Sequence, residues 1–278
     1  MVSDLDGTLL DHHDYSWRAA EAAVTRLRRE GIPLVLASSK TRSEMVGLRH
    51  ELANAHPFVV ENGAAIYSPA GYFDTPPPHD PTVSVDPEAL ANAGALEIEW
   101  LGPSLETTLR ILHQLREQHG FRFEGFADFG VEGIERHTGL PTDAARAASE
   151  RDGTEPILWH DERSPDSLAE ALAPHGLRLV RGGRFLHVMG EIDKARALKV
   201  LRARYERSFG EIRVIALGDS ENDLDMLRAA DHPVLIPRAV GTPLGPGPIP
   251  GLLRAPHPGP EGWAWALDHL LPALEEEE

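Results

Sequence analysis

The chain contains no cysteine, which excludes disulfide staples and thiolate metal sites alike. No apolar run approaches the roughly 20 residues that a membrane helix needs. At the N-terminus, Asp4 and Asp6 interrupt any signal-peptide core before it starts. A cytoplasmic protein without a membrane partner is the expectation. Positive charge is scarce as well: 27 Lys and Arg face 44 Asp and Glu, for a formal charge of -17. Nucleic-acid binding needs clustered basic residues, so no nucleic-acid partner is expected. The acidity reads as a solvated surface, part of it in the terminal run 275–278. Lysine is the rarest basic residue, with only Lys40, Lys194 and Lys199 beside 24 Arg. Where Arg is so strongly preferred, a lysine is a candidate for work that needs a compact point charge.

What is present is the composition of a soluble globular protein, 41% hydrophobic and 26% charged. Its 278 residues suffice for about two domains. Val2 begins a very short strand running into Asp4, and Ser16 is placed to cap a helix from Trp17 to Glu30, closed by Gly31. Pro33-Leu34-Val35-Leu36-Ala37 is a continuous apolar run, as in a strand buried on both faces. A helix over about Arg42 to Ala55 and a strand at Phe58-Val59-Val60 complete a βαβαβ rhythm, which predicts a parallel sheet with right-handed crossovers.

That rhythm breaks near Asp74, where Thr75-Pro76-Pro77-Pro78-His79-Asp80-Pro81 reads as a linker. Leu96-Glu97-Ile98-Glu99-Trp100 alternates like a half-exposed strand, and Ser104 caps a helix with Leu105, Leu109, Leu112 and Leu115, ended by Gly120. Ile157-Leu158-Trp159 is a further strand, and Ser164-Pro165 starts another helix. Two strands, 177–180 and 184–188, flank Gly182-Gly183 as a hairpin. These elements predict a small α+β domain over 78–188, inserted into an α/β core formed by 1–77 and 189–278. The core resumes with a helix near Lys194 and strands at Val214-Ile215-Ala216-Leu217 and Val234-Leu235-Ile236. Gly241 to Pro258 reads only as a surface loop.

Candidate chemistry gathers at strand ends, where open α/β sheets bind ligands. Asp4-Leu5-Asp6-Gly7-Thr8 offers two carboxylates that can reach one site, one to attack and one to move a proton. Gly218-Asp219-Ser220-Glu221-Asn222-Asp223 follows a second strand, and carboxylates meeting across two strand ends suit Mg2+. The same residues equally suit a capped helix start, and the two readings are compatible. Ser38-Ser39-Lys40-Thr41-Arg42 opens a helix with hydroxyls and free N–H groups fit for phosphate. Lys194, after Asp193, could set a point charge against a phosphate oxygen.

In order and spacing these four elements resemble the signature motifs of haloacid dehalogenase-like phosphatases. The resemblance implies a Rossmann-like core, Mg2+ and an aspartyl-phosphate intermediate. It assigns Asp4 as nucleophile and Asp6 as general acid/base. Asp4, the Asp6 carbonyl and Asp219 are assigned to the metal, Ser38, Ser39, Lys194 and Asn222 to the phosphate, and Asp223 to support behind them. An insertion between the hydroxyl and lysine motifs matches a type-two cap, which selects the substrate. Further landmarks are Glu61-Asn62-Gly63-Ala64-Ala65-Ile66-Tyr67, His137-Thr138-Gly139-Leu140-Pro141, Thr154-Glu155-Pro156-Ile157, Gly183-Arg184-Phe185 and Gly259-Pro260-Glu261-Gly262. Together they are similar to the mannosyl-3-phosphoglycerate phosphatase family. That similarity implies a small phosphorylated sugar-glycerate substrate, with Lys40, Glu61, Asn62, Glu155, Arg184 and His187 as candidate recognition residues. Arg184 and His187, alternating away from Phe185, are expected to share a strand face that meets the glycerate carboxylate. Other sugar phosphates, a phosphomutase and a non-catalytic phospho-metabolite sensor are the competing readings. The intact Asp4, Asp6, Lys194 and Asp219 argue against the last. Asp11-His12-His13-Asp14 is expected to line the active-site mouth or to be solvated rather than to hold a metal, and Trp263 and Trp265 to pack a terminal helix rather than to bind sugar.

Overall fold

In chain order the elements are β1 (Val2–Ser3), α1 (Glu21–Arg29), β2 (Val35–Ala37), α2 (Arg42–Glu51), β3 (Phe58–Val60), β4 (Ala65–Pro69) and β5 (Leu96–Trp100). Then follow α3 (Leu105–His119), β6 (Phe123–Gly125), α4 (Phe126–Thr138), α5 (Thr142–Ser149), β7 (Glu155–Trp159), α6 (Asp166–Leu172), β8 (Leu177–Arg181) and β9 (Leu186–Gly190). The chain closes with α7 (Lys194–Phe209), β10 (Ile215–Gly218), α8 (Leu224–Arg228), β11 (His232–Leu235), β12 (Leu253–Arg254) and α9 (Gly259–Glu275). The structure, a computed structural model, describes residues 1–74, 95–181, 184–241, 244–245 and 247–275. The expected linker at 75–81, the first boundary of the insertion and the Gly182-Gly183 turn lie outside the described residues.

One sheet runs in the order β12-β11-β10-β1-β2-β3-β4-β5. Its first six strands are parallel and the last two antiparallel. The apolar run at β2 reads as continuous because its alternate residues face two cores. Leu36 joins Val24, Leu27, Met45 and Trp263 beneath α1, α2 and α9, while Val35 and Ala37 join Leu198, Leu201, Met226 and Leu227 beneath α7 and α8. Such doubly covered parallel strands place the strand ends as the open edge for chemistry.

β1 has only two residues, yet it lies at the sheet's centre, parallel to both β2 and β10. Flanking bonds extend its hold: the Met1 ammonium donates to the Pro33 carbonyl at 2.9 Å, and the Asp4 N–H to the Leu217 carbonyl at 2.9 Å. From the far end of the chain, Trp263 of α9 donates its indole N–H to the Ser3 hydroxyl oxygen at 2.9 Å. The Trp263 side chain is fully buried and Trp265 stacks on His269, as expected of a packed terminal helix.

A second, antiparallel sheet has the order β6-β7-β9-β8. Ile111, Leu112 and Leu115 of α3 and Leu168 and Leu172 of α6 cover one of its faces, against Ile157, Leu177 and Val188. α3 has the ends its sequence predicts, with the Ser104 hydroxyl accepting from the Thr107 N–H and Gly120 left-handed at the C-terminus. Residues 96–100 depart from expectation. They form the edge of the larger sheet, antiparallel to β4, rather than a strand of the inserted one. Alternation reports a half-exposed edge but not which sheet the edge belongs to.

Candidate active site

β1 and β10 end side by side, so Asp4 and Asp219 leave adjacent parallel strands toward the same space. Gly7 makes their approach possible. Its backbone is left-handed at φ 83°, and a Cβ there would fall 2.8 Å from an Asp219 carboxylate oxygen. Carboxylate oxygens of Asp4, Asp219 and Asp223 lie within 4.8 Å of one another. Between two of them sits the Lys194 ammonium, delivered by the first residue of α7 after the N-cap Asp193. It donates to Asp4 and, at 2.7 Å, to Asp223. Lys194 and Asp223 have side chains with no exposure at all.

Asp223 is spoken for on both oxygens. One accepts from Lys194, the other from the N–H groups of Asp219 at 3.2 Å and Ser220 at 3.1 Å and from the Ser220 hydroxyl at 2.9 Å. It therefore orients the lysine and the turn after β10. Electrostatics follow from burial: burial, and then the Asp223 charge, push the Asp4 carboxyl up, against Lys194. The same two causes push Asp219 up to about 6. Burial alone would lower Lys194, but the charges of Asp223 and Asp4 hold it above its ordinary value. Lys194 contacts two of the three buried carboxylates, and the Arg238 and Lys194 charges offset Asp219 only in part, so the remaining negative charge is what a hard divalent cation neutralises. The donor set fits a metal ion.

The Asp6 carboxylate is not one of the three clustered acids and pairs with the Lys40 ammonium at 3.0 Å. Lys40 lies 5.1 Å from the ring centre of Tyr15, and the Asp6 and Glu44 charges raise it despite burial. Ser38 is buried at the start of the second motif, where its hydroxyl oxygen accepts from the Lys40 N–H at 3.2 Å. Thr41 caps α2 in a reciprocal capping box with Glu44. Asn222 donates its amide to the Asn62 side-chain oxygen at 3.0 Å. The four motif loops therefore lie against one another.

The candidate recognition residues divide. Glu61 is fully buried, and its carboxylate accepts from the N–H groups of Asp152 at 2.5 Å and Thr154 at 2.8 Å and from the Thr154 hydroxyl at 2.5 Å. It has no open oxygen for a sugar. Glu155 is buried under α4, where it accepts the Ala127 N–H at 2.8 Å, and burial pushes it up to about 7. Arg184 is exposed in a bend before β9, which begins only at Leu186. The expected shared face with His187 is not formed. Phe185 instead packs on Phe126, and His187 sits in the strand, its imidazole held down at about 4 by burial and the Arg151 charge.

Sequence reasoning missed Arg151. Its buried guanidinium donates to the Ser39 carbonyl at 3.3 Å and the Thr154 hydroxyl at 2.7 Å, and lies 3.5 Å from Glu61. Thr154 is only three residues on, but the two partners that tie Arg151 to the core, Ser39 and Glu61, come from 112 and 90 positions earlier in the chain, where no local pattern reaches. At 11–14, Asp11 accepts N–H groups from His13 and Asp14 as an exposed turn, in line with a solvated loop.

A family model described as haloacid dehalogenase-like hydrolase matches residues 1–73 and 170–240. A glucosyl-3-phosphoglycerate/mannosyl-3-phosphoglycerate phosphatase of Persephonella marina is 37% identical over 99% of this chain and 98% of its own length. A protein of the same description from Methanococcoides burtonii is 36% identical over 98% and 96%. Among solved structures, a Thermoplasma acidophilum protein aligns over 96% of both chains with a TM-score of 0.65 at 17% identity, a likeness of fold. No helix among the described residues is long and apolar enough to cross a membrane. With its catalytic-loop segments matched by the family and nearly its whole length by relatives above one third identity, the chain belongs to the haloacid dehalogenase-like hydrolases and is a phosphoric monoester hydrolase.

Proposed function

We propose that the enzyme hydrolyses mannosyl-3-phosphoglycerate to mannosylglycerate and phosphate through an aspartyl-phosphate on Asp4, with Mg2+ as its metal. The observation that carries the chemistry is the buried cluster of Asp4, Lys194, Asp223 and Asp219 at adjacent strand ends. An Asp4 oxygen bonds to phosphorus as the bond from phosphorus to the glycerate oxygen breaks, and Asp6 gives that oxygen its proton. Asp6 then takes a proton from water, whose oxygen attacks phosphorus and releases Asp4. Lys194 holds a phosphoryl oxygen by charge, and Ser38, Ser39 and Asn222 supply hydrogen bonds around it. Asp4, Asp219 and the Asp6 carbonyl would hold the magnesium, which neutralises charge between the phosphoryl group and the carboxylates.

The module whose sheet spans 123–190 serves as the cap that selects the organic part of the substrate. Arg184, exposed ahead of β9, is assigned to the glycerate carboxylate, which its planar fork can take in a bidentate pair. Arg184→Ala should lower kcat/KM for the phosphoglycerate by roughly 10- to 1,000-fold, about 1.4–4 kcal/mol, and spare para-nitrophenyl phosphate. The relatives' descriptions include both sugars, which favours glucosyl-3-phosphoglycerate as the second reading. Measuring phosphate release from both glycosyl phosphoglycerates, from 3-phosphoglycerate and from hexose phosphates tests the proposal. Faster turnover of hexose phosphates than of either glycosyl phosphoglycerate would refute it.

A further inference from the structure

The turn between β3 and β4 places a glutamate in the left-handed conformation that hairpin turns usually give to asparagine, aspartate or glycine. Glu61 and Asn62 are both left-handed, at φ 49° and 57°, and Gly63 follows at φ 107°. Glutamate gains nothing from that conformation by itself, so the surroundings must hold it there. They do so from four sides. The Glu61 N–H donates to the Lys40 carbonyl at 3.0 Å and the Asn62 N–H to the Ser38 carbonyl at 2.8 Å, which bolts the turn to the phosphate-binding loop. The Asn62 side chain meets Asn222 of the last motif at 3.0 Å. At Gly63 the Asp193 carbonyl comes so close that a Cβ would lie 2.3 Å from it, so the turn also abuts the residue that caps the lysine helix. The fourth side is the inserted module, which the turn meets through the Glu61 side chain.

We infer that Glu61 is a positioning residue, a latch through which the turn 61–63 holds the segment 151–154 of the inserted module in register with the catalytic loops. Its carboxylate accepts from the N–H groups of Asp152, Gly153 and Thr154 and from the Thr154 hydroxyl, at 2.5, 3.3, 2.8 and 2.5 Å. Every partner is a donor, so both oxygens act as acceptors only. A glutamine in that place would bring its amide hydrogens against at least one of them. The latch is reinforced beside it, where the Tyr67 hydroxyl donates to Asp152 at 2.6 Å and the Thr41 hydroxyl to the Ala147 carbonyl at 2.8 Å. Arg151, held against Glu61 and the Ser39 carbonyl, carries the register directly to the phosphate-binding loop. Glu61 thus belongs to recognition without touching the substrate: it fixes where the selecting surface stands above the reacting groups.

The kinetic half of this inference rests on the proposed substrate; the structural half does not. In the full-length enzyme, Glu61→Gln should raise hydrogen–deuterium exchange of the 152–154 amides at least tenfold and leave the β1, β2 and β10 amides unchanged. KM for the glycosyl phosphoglycerate should rise roughly tenfold, with para-nitrophenyl phosphate turnover kept within about threefold. Thr154→Val, which removes one donor and keeps the shape, should give the same pattern more weakly and serves if Glu61→Gln does not fold. Unchanged exchange at 152–154 in both variants would overturn the latch. Equal losses on both substrates would also overturn it, assigning Glu61 to the catalytic loops instead. Should the wild type ignore glycosyl phosphoglycerates, the substrate reading fails while the exchange experiment still decides the latch.

Discussion

Lys194 is the side chain on which the most electrostatics converge. It reaches Asp4 and Asp223 with no exposed side-chain surface, and neither carboxylate has another cation at contact distance among the described residues. Replacing it with Ala leaves two buried charges unpaired, a loss of about 3–5 kcal/mol in urea unfolding together with lost activity. Asp4→Asn should abolish turnover while circular dichroism stays unchanged, since the amide keeps the shape and forms no acyl phosphate. Glu155 reports burial in a different way. Its carboxyl is raised from 4.5 to about 7, chiefly by desolvation, so between those values the folded chain binds a proton that the unfolded chain has released. Stability from this group is fully present below pH 4.5 and is lost as pH rises through 7. At about 1.36 kcal/mol per unit the loss approaches roughly 3 kcal/mol. Glu155→Gln keeps an acceptor for the Ala127 N–H and does not titrate, so its melting temperature should gain on the wild type from pH 5 to pH 8. Parallel pH profiles for the two proteins would show that burial does not govern this carboxyl.

Elements show what a sequence can and cannot announce. α3 was legible to both ends, because Ser104 and Gly120 act on their own neighbours. The four motif loops were legible for a related reason: acids, hydroxyls and lysine at strand ends identify themselves by chemistry before any contact is known. α4 was not, since Gly130 breaks its helical backbone at φ 62° and the apolar period with it. Glu61 was read as a substrate contact because its partners lie 91–93 residues away, where no local pattern can reach. β1 is the sharpest case. Two residues cannot make an independent strand, and the sequence before Asp4 gives no hint of what secures it. The answer is Trp263, 260 residues on, which packs fully buried behind the strand and donates to Ser3. Trp263→Ala should cost about 3–5 kcal/mol, and Trp263→Phe roughly 1–2, as ring volume and the N–H are lost in turn. Both variants should keep the denaturant m-value while the midpoint falls. Because Asp4 directly follows β1, activity should fall further than the folded fraction does.

At the scale of the whole molecule two electrostatic effects compete, and a metal titration separates them. The chain carries a formal charge of -17, so any salt relieves some surface repulsion and steadies the fold a little. The cluster of Asp4, Asp219 and Asp223 concentrates part of that charge where bulk ions screen poorly. A divalent cation that binds there, and only in the folded state, adds stability by mass action, about 2.7 kcal/mol at a hundred times its dissociation constant. For a chain of this length that is on the order of 5 °C in melting temperature. Measured in roughly 0.15 M NaCl to suppress the surface effect, Mg2+ should still raise the melting temperature along a saturable curve, and a chelator should return it to baseline. Asp219→Asn should abolish the saturable part while leaving the response to NaCl intact. Ca2+ should also stabilise, because it accepts the same oxygens, yet support turnover poorly: its larger and more variable shell would hold Asp4 less firmly toward phosphorus. If Mg2+ and NaCl at equal ionic strength gave the same shift in both proteins, the buried acids would be binding no metal, and the proposed role of magnesium would have to be abandoned.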